Sequence, residues 1–223
     1  MNFFYKYLLM NKNINNSLIL IIGIVFLAFG IIAASQIYRT PSSDELRVLG
    51  YYPFDEPRQI SDFSLIDHEK NPVDRSVFTG HWSLVFFGFT YCPDICPTTM
   101  SVLNAALQDI SQPPQVVMVS VDPERDTPDV LSRYVISFNE TFQGYGGTRE
   151  DITNLATQLN IAFGKVPGPV LGAYSVEHSS GIAVINPLGE YAGFIKAPHH
   201  AEKIAAIANS LQQPLFCNTS FCI

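Results

Sequence analysis

The chain has little positive charge beyond its first forty residues. Of its 223 residues, 20 are Asp or Glu and only 13 are Lys or Arg. Every acidic residue and ten of the basic ones follow Thr40, which leaves that part with a formal charge of −10. This charge argues against nucleic acid and anionic lipid surfaces as partners. The chain also lacks internal repeats and low-complexity tracts, and its hydrophobic fraction of 47% is typical of a folded globular protein.

No acidic residue precedes Asp44, and a charge-free apolar run occupies much of that region. The run SLILIIGIVFLAFGIIAAS, residues 17–35, just spans a hydrocarbon core of about 30 Å at a rise of about 1.5 Å per residue. A cleaved signal peptide has a shorter apolar core of about 7–15 residues, and AAS at residues 33–35 is a poor cleavage site. We therefore predict an uncleaved transmembrane anchor at residues 17–36 rather than a signal peptide.

Basic residues before the apolar run predict the topology of this anchor. Lys6 and Lys12 precede it, so the positive-inside rule places residues 1–16 in the cytoplasm. The main domain is then expected outside the cytoplasm, on the periplasmic side of the inner membrane, where thiols tend to oxidise unless they are reduced or bind a metal. Residues 37–51 are polar and show no helical or strand period, which predicts a linker.

Residues 52–212 alternate between strand and helix patterns. The central strand WSLVFFGF is a continuous apolar run, as expected of a strand buried on both faces. The predicted order is a hairpin at 62–73, a strand at 82–89, a helix at 97–110, a strand at 115–121, helices at 126–138 and 149–160, a hairpin at 181–195 and a helix at 200–212. This order predicts an α/β, thioredoxin-like domain in which a parallel βαβ unit joins a final antiparallel pair. Residues 213–223 form a separate tail.

Two cysteines follow the central strand in the stretch FFGFTYCPDICPTTM. Cys92 lies just past the carboxyl end of the strand and Cys96 at the start of the next helix, where ligand sites form in open α/β sheets. The helix N-terminus is expected to make Cys96 ionise more readily than a free thiol. Thiolates attack disulfides and also bind metals, so the position leaves redox chemistry, metal binding and an inert buried pair open.

A histidine supplies the third donor for a metal site. His178 lies in the loop that leads into the final antiparallel pair, and in thioredoxin-like folds that loop faces the two cysteines. The other histidines are placed less suitably: His68 in a predicted turn, His81 at the opposite end of the central strand, and His199 and His200 at the start of the last helix. Two cysteines and one histidine form a soft ligand set that favours copper, notably Cu(I), and imidazole also retains Cu(II).

Three separated motifs, FFGFTYCPDICPTTM, VSVDPERDTPDVL and VEHSSGIAVINPLGEY, resemble those of the Sco/SenC family of membrane-anchored copper chaperones. The resemblance runs from about Phe63 to Leu211. It implies a thioredoxin-like fold with a hairpin inserted before the histidine loop, here at residues 161–177. It also implies one copper on Cys92, Cys96 and His178, and a role in assembling the dinuclear copper site (CuA) of cytochrome c oxidase subunit II.

The resemblance extends to partners and to a competing activity. A copper donor protein, a copper acceptor and a thiol reductant are implied, and family members are also proposed to reduce the cysteines of the CuA site. Cys92 and Cys96 alone are sufficient for such a thiol-disulfide oxidoreductase, and the pair is a candidate for a disulfide in the oxidised apo form. A peroxiredoxin-like peroxidase is a third reading; Thr90 suits it, but no arginine is marked by the sequence.

The resemblance assigns Asp122 to an acidic position near the copper site. We expect it to orient a ligand or the loop from outside the ligand set, or else to cap the turn before Pro123. Asp126 and Thr127 are expected to cap the following helix.

Many members have His at the position of Tyr91 and Asp at that of Glu177, and neither difference touches the three ligands.

The tail PLFCNTSFCI is not covered by the resemblance. Cys217 and Cys222 are expected to form a local disulfide, as is plausible outside the cytoplasm. A second copper site or a resolving dithiol remains an alternative for this pair.

Overall fold

A computed structural model describes residues 18–32, 41–169 and 173–212, and the chain divides into two compact units. In the first, residues 18–32 form helix α1, whose large apolar side chains are exposed. In the described residues, no helix combines the length and the apolar character that a membrane crossing requires. The predicted anchor at 17–36 extends past the described part of α1 at both ends.

The second unit, Pro41–Gln213, contains an eight-stranded mixed sheet. Its strands are β1 (Tyr51–Gln59), β2 (Leu65–Asp67), β3 (Pro72–Val73), β4 (Ser83–Gly88), β5 (Gln115–Ser120), β6 (Gln143–Gly146), β9 (Ile182–Ile185) and β10 (Glu190–Ile195). They lie in the order β1-β10-β9-β4-β5-β6-β2-β3. Strands β4, β5 and β6 run parallel, and the other neighbouring pairs are antiparallel. A separate hairpin consists of β7 (Phe163–Pro167) and β8 (Tyr174–His178).

Five helices and one 3-10 turn accompany the strands in the described part of this unit. They are α2 (Ser43–Leu49), the 3-10 turn Arg75–Phe78, α3 (Ile95–Leu107), α4 (Pro128–Phe138), α5 (Arg149–Gln158) and α6 (Ala201–Leu211). Helix α3 packs against α6, and α4 packs against β6. The predicted strands and helices are present, but β6 lies between α4 and α5, where no strand was predicted, and α3 begins two residues before the predicted start at Pro97.

The central strand β4 fixes the position of the site. All six of its residues are buried, as its uninterrupted apolar run predicts. It pairs with β9 on one side and β5 on the other, and Gly88 lies opposite Ser120 at the carboxyl ends of β4 and β5. The two loops that leave these strand ends therefore start next to each other.

The predicted linker at 37–51 is wrong over its described part. Residues Ser43–Leu49 form α2, and β1 begins at Tyr51 and pairs with β10. Ser42 and Glu45 form a reciprocal capping box, in which each side chain accepts a hydrogen bond from the other residue's backbone N–H. The helix has only seven residues and buries a single one, Leu46, so it is too short to show an apolar period. The folded unit thus begins near Pro41 rather than at residue 52.

Candidate metal centre

The two cysteines lie on either side of the start of α3. Helix α3 begins at Ile95, so Cys92 belongs to the preceding loop, and Cys96 is the second residue of the helix. The N-cap residue, Asp94, makes no capping hydrogen bond with its side chain. Instead, the backbone N–H of Cys96 donates to Cys92 Sγ over 3.4 Å. This contact brings the sulfur of Cys92 over the first turn of the helix, next to Cys96.

His178 is the last residue of strand β8, and its imidazole faces the two cysteines. Its Nε2 lies 3.4 Å from Cys96 Sγ. Its Nδ1 lies 3.1 Å from the carbonyl oxygen of Ser179, so Nδ1 carries the proton and donates it to that carbonyl. The lone pair of Nε2 is then directed at the cysteines. The rings of Phe86 and Phe89 meet the imidazole edge to face and fix its plane.

One ligand atom from each of Cys92, Cys96 and His178 lies within 4.8 Å of the others. Sulfur and imidazole ligands lie about 2.3 and 2.0 Å from a bound transition metal, so two ligands of one ion are separated by no more than about 4.6 Å. The three atoms therefore need little movement to share a single ion. Within the part of the chain that the structure describes, no other group of three His, Cys, Asp or Glu side chains is arranged for a metal. Two sulfurs and one imidazole are ligands that suit Cu(I).

Burial changes the acid–base properties of two of these ligands. Removal from water lowers the pKa of His178, so the imidazole is neutral at pH 7 and available as a ligand. Burial also raises the pKa of the Cys96 thiol well above its ordinary value, and the neighbouring Cys92 acts in the same direction. The prediction that the helix N-terminus makes Cys96 unusually acidic is therefore wrong for the protein without metal. Desolvation is the main cause of this rise in pKa, because Cys96 is completely buried.

Asp122 lies behind the site in a fully buried position. One carboxylate oxygen, Oδ2, pairs with Arg125 Nε, and the other, Oδ1, accepts a 2.8 Å hydrogen bond from the hydroxyl of Tyr174. The guanidinium carbon of Arg125 also lies 4.0 Å from the centre of the Tyr174 ring. Tyr174 is the first residue of β8, and His178 is the last. Asp122 therefore links the loop after β5 to the strand that carries the histidine.

Three residues around the site have roles that the sequence did not predict. Asp126 was expected to cap α4, but the N-cap is Thr127 and its side chain makes no capping hydrogen bond. The carboxylate of Asp126 instead accepts hydrogen bonds from Thr90 and Ser120. Arg125 and Tyr174 were not singled out at all. The motif DPERDTP contains two of the three residues, yet Thr90 and Tyr174, which they contact, are distant in sequence and become their neighbours only in the fold.

The remaining histidines do not reach the cysteines. His68 Nδ1 accepts a hydrogen bond from the backbone N–H of Gly144, and His81 Nε2 lies 3.1 Å from Gln115 Oε1. His199 Nε2 donates to the carbonyl of Ser180 over 2.7 Å, and its neighbour His200 is the N-cap of α6.

Two positions at which many family members differ are exposed, and neither is a ligand. The side chain of Tyr91 faces solvent, with its ring 4.9 Å from the guanidinium carbon of Arg125, and Glu177 is exposed on β8. Cys217 and Cys222 lie outside the described residues.

Comparison with known proteins agrees with this geometry. The family model described as SCO1/SenC matches residues 54–213. Mouse protein SCO2 homolog, mitochondrial, is 34% identical over 148 residues, which cover 64% of this chain and 58% of that protein. The crystal structure of Arabidopsis thaliana ScoI with copper bound has a TM-score of 0.65 and 30% identity, and the match covers 70% of this chain and 99% of that one.

The solution structure of apo Sco1 from Thermus thermophilus has a TM-score of 0.63 and 31% identity, and the match covers 71% of this chain and 92% of that one. These likenesses confirm the predicted α/β thioredoxin-like fold. The chain spans less than two thirds of the length of the mitochondrial relatives that it matches.

Proposed function

The chain belongs to the SCO1/SenC family, and on that premise we propose that it is a copper-binding chaperone for the assembly of cytochrome c oxidase. The observation that carries this proposal is the convergence of Cys92 Sγ, Cys96 Sγ and His178 Nε2 within 4.8 Å. A related structure, Arabidopsis thaliana ScoI, is described with copper bound, which supports copper as the metal. Copper is the cargo, and the acceptor that we propose is the CuA site of subunit II.

Delivery proceeds by ligand exchange. Cys96 is completely buried, whereas Cys92 and His178 are partly exposed. An acceptor ligand therefore approaches from the side of Cys92 and His178, while Cys96 is the last residue to release the ion. Because the pKa of His178 is lowered, its imidazole leaves copper without taking up a proton at pH 7, whereas the thiolates recover protons as copper leaves. Asp122 assists by holding Tyr174 and, through β8, the position of His178.

A thiol-disulfide oxidoreductase is the alternative function. Cys92 and Cys96 are free thiols close enough to form a disulfide, and the two electrons released would reduce a disulfide of the acceptor. Cys92 would be the attacking thiol, because burial raises the pKa of Cys96 and disfavours its thiolate. A thiol-disulfide oxidoreductase that uses the two cysteines alone does not require His178 Nε2 to lie beside Cys96 Sγ. A peroxidase is less well supported, because the Thr90 hydroxyl is already engaged by Asp126.

We also propose that the apolar segment at residues 17–36 anchors the protein in the inner membrane, with the copper domain on the periplasmic side. The exposed apolar side chains of α1 support this proposal. A copper donor protein and a thiol reductant are the further partners. Extraction of isolated membranes with alkaline carbonate tests the anchor: we expect the chain to stay in the pellet, and its complete release would contradict anchoring.

Replacement of His178 by Ala separates copper delivery from dithiol chemistry. We expect His178→Ala in the full chain to abolish tight Cu(II) binding and copper transfer to an apo CuA acceptor. Oxidation and reduction of Cys92 and Cys96 should continue, because neither thiol is altered. His81→Ala is the matched control, since His81 contacts Gln115 at the other end of β4 and should leave binding unchanged. Equally tight Cu(II) binding with an unchanged absorption spectrum in His178→Ala would overturn the three-ligand site.

A further inference from the structure

The carboxylate of Asp126 is buried and fully engaged by hydrogen bonds. The residue is 3% exposed. Its Oδ1 accepts a hydrogen bond from the Thr90 hydroxyl over 2.6 Å. Its Oδ2 accepts one from the Thr90 backbone N–H over 3.0 Å and one from the Ser120 hydroxyl over 2.6 Å. A single side chain therefore binds both the backbone and the side chain of Thr90.

These hydrogen bonds join the two loops that leave the central strands. Thr90 follows β4 and precedes Cys92 by two residues, whereas Ser120 is the last residue of β5. The backbone N–H of Cys92 donates to the carbonyl of Phe89 over 3.2 Å, which continues the same turn. Asp126 thus fixes the course of the chain from the end of β4 to the first cysteine.

Stability alone does not account for a buried carboxyl group in this place. A buried carboxyl group loses its hydration, and the hydrogen bonds around it largely offset that loss. Apolar side chains of similar size at Asp126, Thr90 and Ser120 together would fill the same space without this cost. A side chain that adds little stability but fixes the geometry of an adjacent loop is expected where that geometry matters to function.

We propose that Asp126 is a positioning residue for the copper site, which holds Thr90 so that Cys92 Sγ stays within reach of Cys96 and His178. The inference rests on the proposed copper-binding function and adds a residue outside the ligand set. Asp126 acts on the cysteine side of the site, whereas Asp122 contacts the hairpin that carries the histidine. The two aspartates of the DPERDTP motif therefore support different ligands.

Four substitutions in the full chain, purified in detergent, separate this role from simple stability. Asp126→Ala removes all three hydrogen bonds, and Thr90→Val removes the hydroxyl bond on the cysteine side. Asp126→Asn is the conservative variant, because its amide oxygen accepts from the Thr90 N–H and Ser120 while its NH₂ group donates to the Thr90 hydroxyl. Ser120→Ala is the matched control, since it removes a bond of the same 2.6 Å length from the strand side.

The readouts are Cu(I) affinity, the Cu(II) absorption and EPR spectra, and amide hydrogen exchange at residues 90–92 in the apo protein. Asp126→Ala and Thr90→Val should weaken Cu(I) binding at least tenfold, shift the Cu(II) spectra and accelerate exchange. Asp126→Asn should stay within threefold of wild type. Ser120→Ala should lower the melting temperature while leaving the spectra unchanged.

Wild-type affinity and spectra in Thr90→Val, whatever its melting temperature, would overturn the proposal, even if Asp126→Ala fails to fold. Spectral changes in Ser120→Ala equal to those in Thr90→Val would overturn it too. A wild-type chain that binds no copper would refute the proposed function instead. The exchange measurement on the apo protein would then still decide whether Asp126 positions the loop.

Discussion

At the level of single residues, Gly88 lies so close to the buried Cys96 that a larger side chain at position 88 would push against the cysteine. A Cβ atom added at Gly88 would lie 2.7 Å from Phe86 Cε1 and 3.1 Å from Cys96 Sγ. Both neighbours are completely buried in the core. The glycine therefore lets α3 begin close enough to β4 for the sulfur to lie at the strand end.

Gly88→Ala is expected to displace Cys96 Sγ and to overpack the core. We expect the free energy of unfolding to fall by about 1–3 kcal/mol, together with a change in the Cu(II) absorption spectrum. Denaturant unfolding and a copper titration measure the two effects. Gly164→Ala on β7 is the matched control, because its added Cβ meets no atom within 4 Å. Equal stability of the two variants would contradict the packing argument.

The three proposed ligands were predictable from the sequence, but most residues that support them were not. Cys92 and Cys96 are recognised by their place between a buried strand and a helix, and His178 by the strand pattern that follows it. Asp126 was misassigned as a helix cap, because the sequence alone shows its nearest helix and not its distance from Thr90. The rise in the pKa of Cys96 was missed because burial is a property of the fold.

At the level of elements, the β7–β8 hairpin depends on contacts with the loop after β5. The Tyr174 hydroxyl donates to the buried Asp122, and Lys165 on β7 pairs with Glu124. Desolvation and the hydrogen bond to Asp122 raise the pKa of Tyr174 to about 12, so its hydroxyl stays protonated and remains a donor. The resemblance implied this hairpin, whereas its attachment through Tyr174 is seen only in the structure.

Tyr174→Phe removes the hydroxyl and leaves one oxygen of the buried Asp122 without that donor. We expect a loss of about 2 kcal/mol in unfolding free energy, since hydrogen bonds to charged groups are worth about 1.5–3 kcal/mol. Copper affinity should fall about tenfold as His178 becomes less well placed. Tyr134→Phe is the control, because the Tyr134 hydroxyl is buried without a partner among the described residues. Unfolding and copper titrations that fail to distinguish the two variants would refute the link between Asp122 and His178.

Helix α2 shows how a short element escapes prediction from sequence. Only its capping box, Ser42 with Glu45, marks it, because seven residues with one buried side chain produce no apolar period. Strand β1 follows it directly and contains two prolines, which obscure the strand pattern although they suit an edge strand. Strand β6 is similarly concealed by its glycines, QGYG.

Leu46→Ala tests whether α2 is part of the folded unit. Leu46 is 3% exposed, so its truncation should cost about 2–4 kcal/mol of unfolding free energy. Val48→Ala on the same helix removes a side chain that is 81% exposed, and a change within about 0.5 kcal/mol is expected. Urea titrations of the two variants give the comparison. Similar small effects in both would mean that this segment is only a tether.

At the level of the whole molecule, the fold brings three distant segments to one end of the central strands. The cysteine loop follows β4, the DPERDTP turn follows β5, and the histidine arrives on a hairpin outside the main sheet. The order of the main elements was predictable because the buried strands β4 and β5 have strong apolar runs. Domain limits were less predictable, because the edge strand and α2 bury few residues each.

The central claim is that one copper ion binds to two cysteine sulfurs and one histidine nitrogen. X-ray absorption of the Cu(I)-loaded full chain, carrying Cys217→Ser and Cys222→Ser, tests it most directly because the tail then has no sulfur to contribute. We predict one copper per chain, with two sulfur scatterers at about 2.3 Å and one imidazole nitrogen at about 2.0 Å. Loss of copper from this variant, or a ligand set without nitrogen, would contradict the assignment of Cys92, Cys96 and His178.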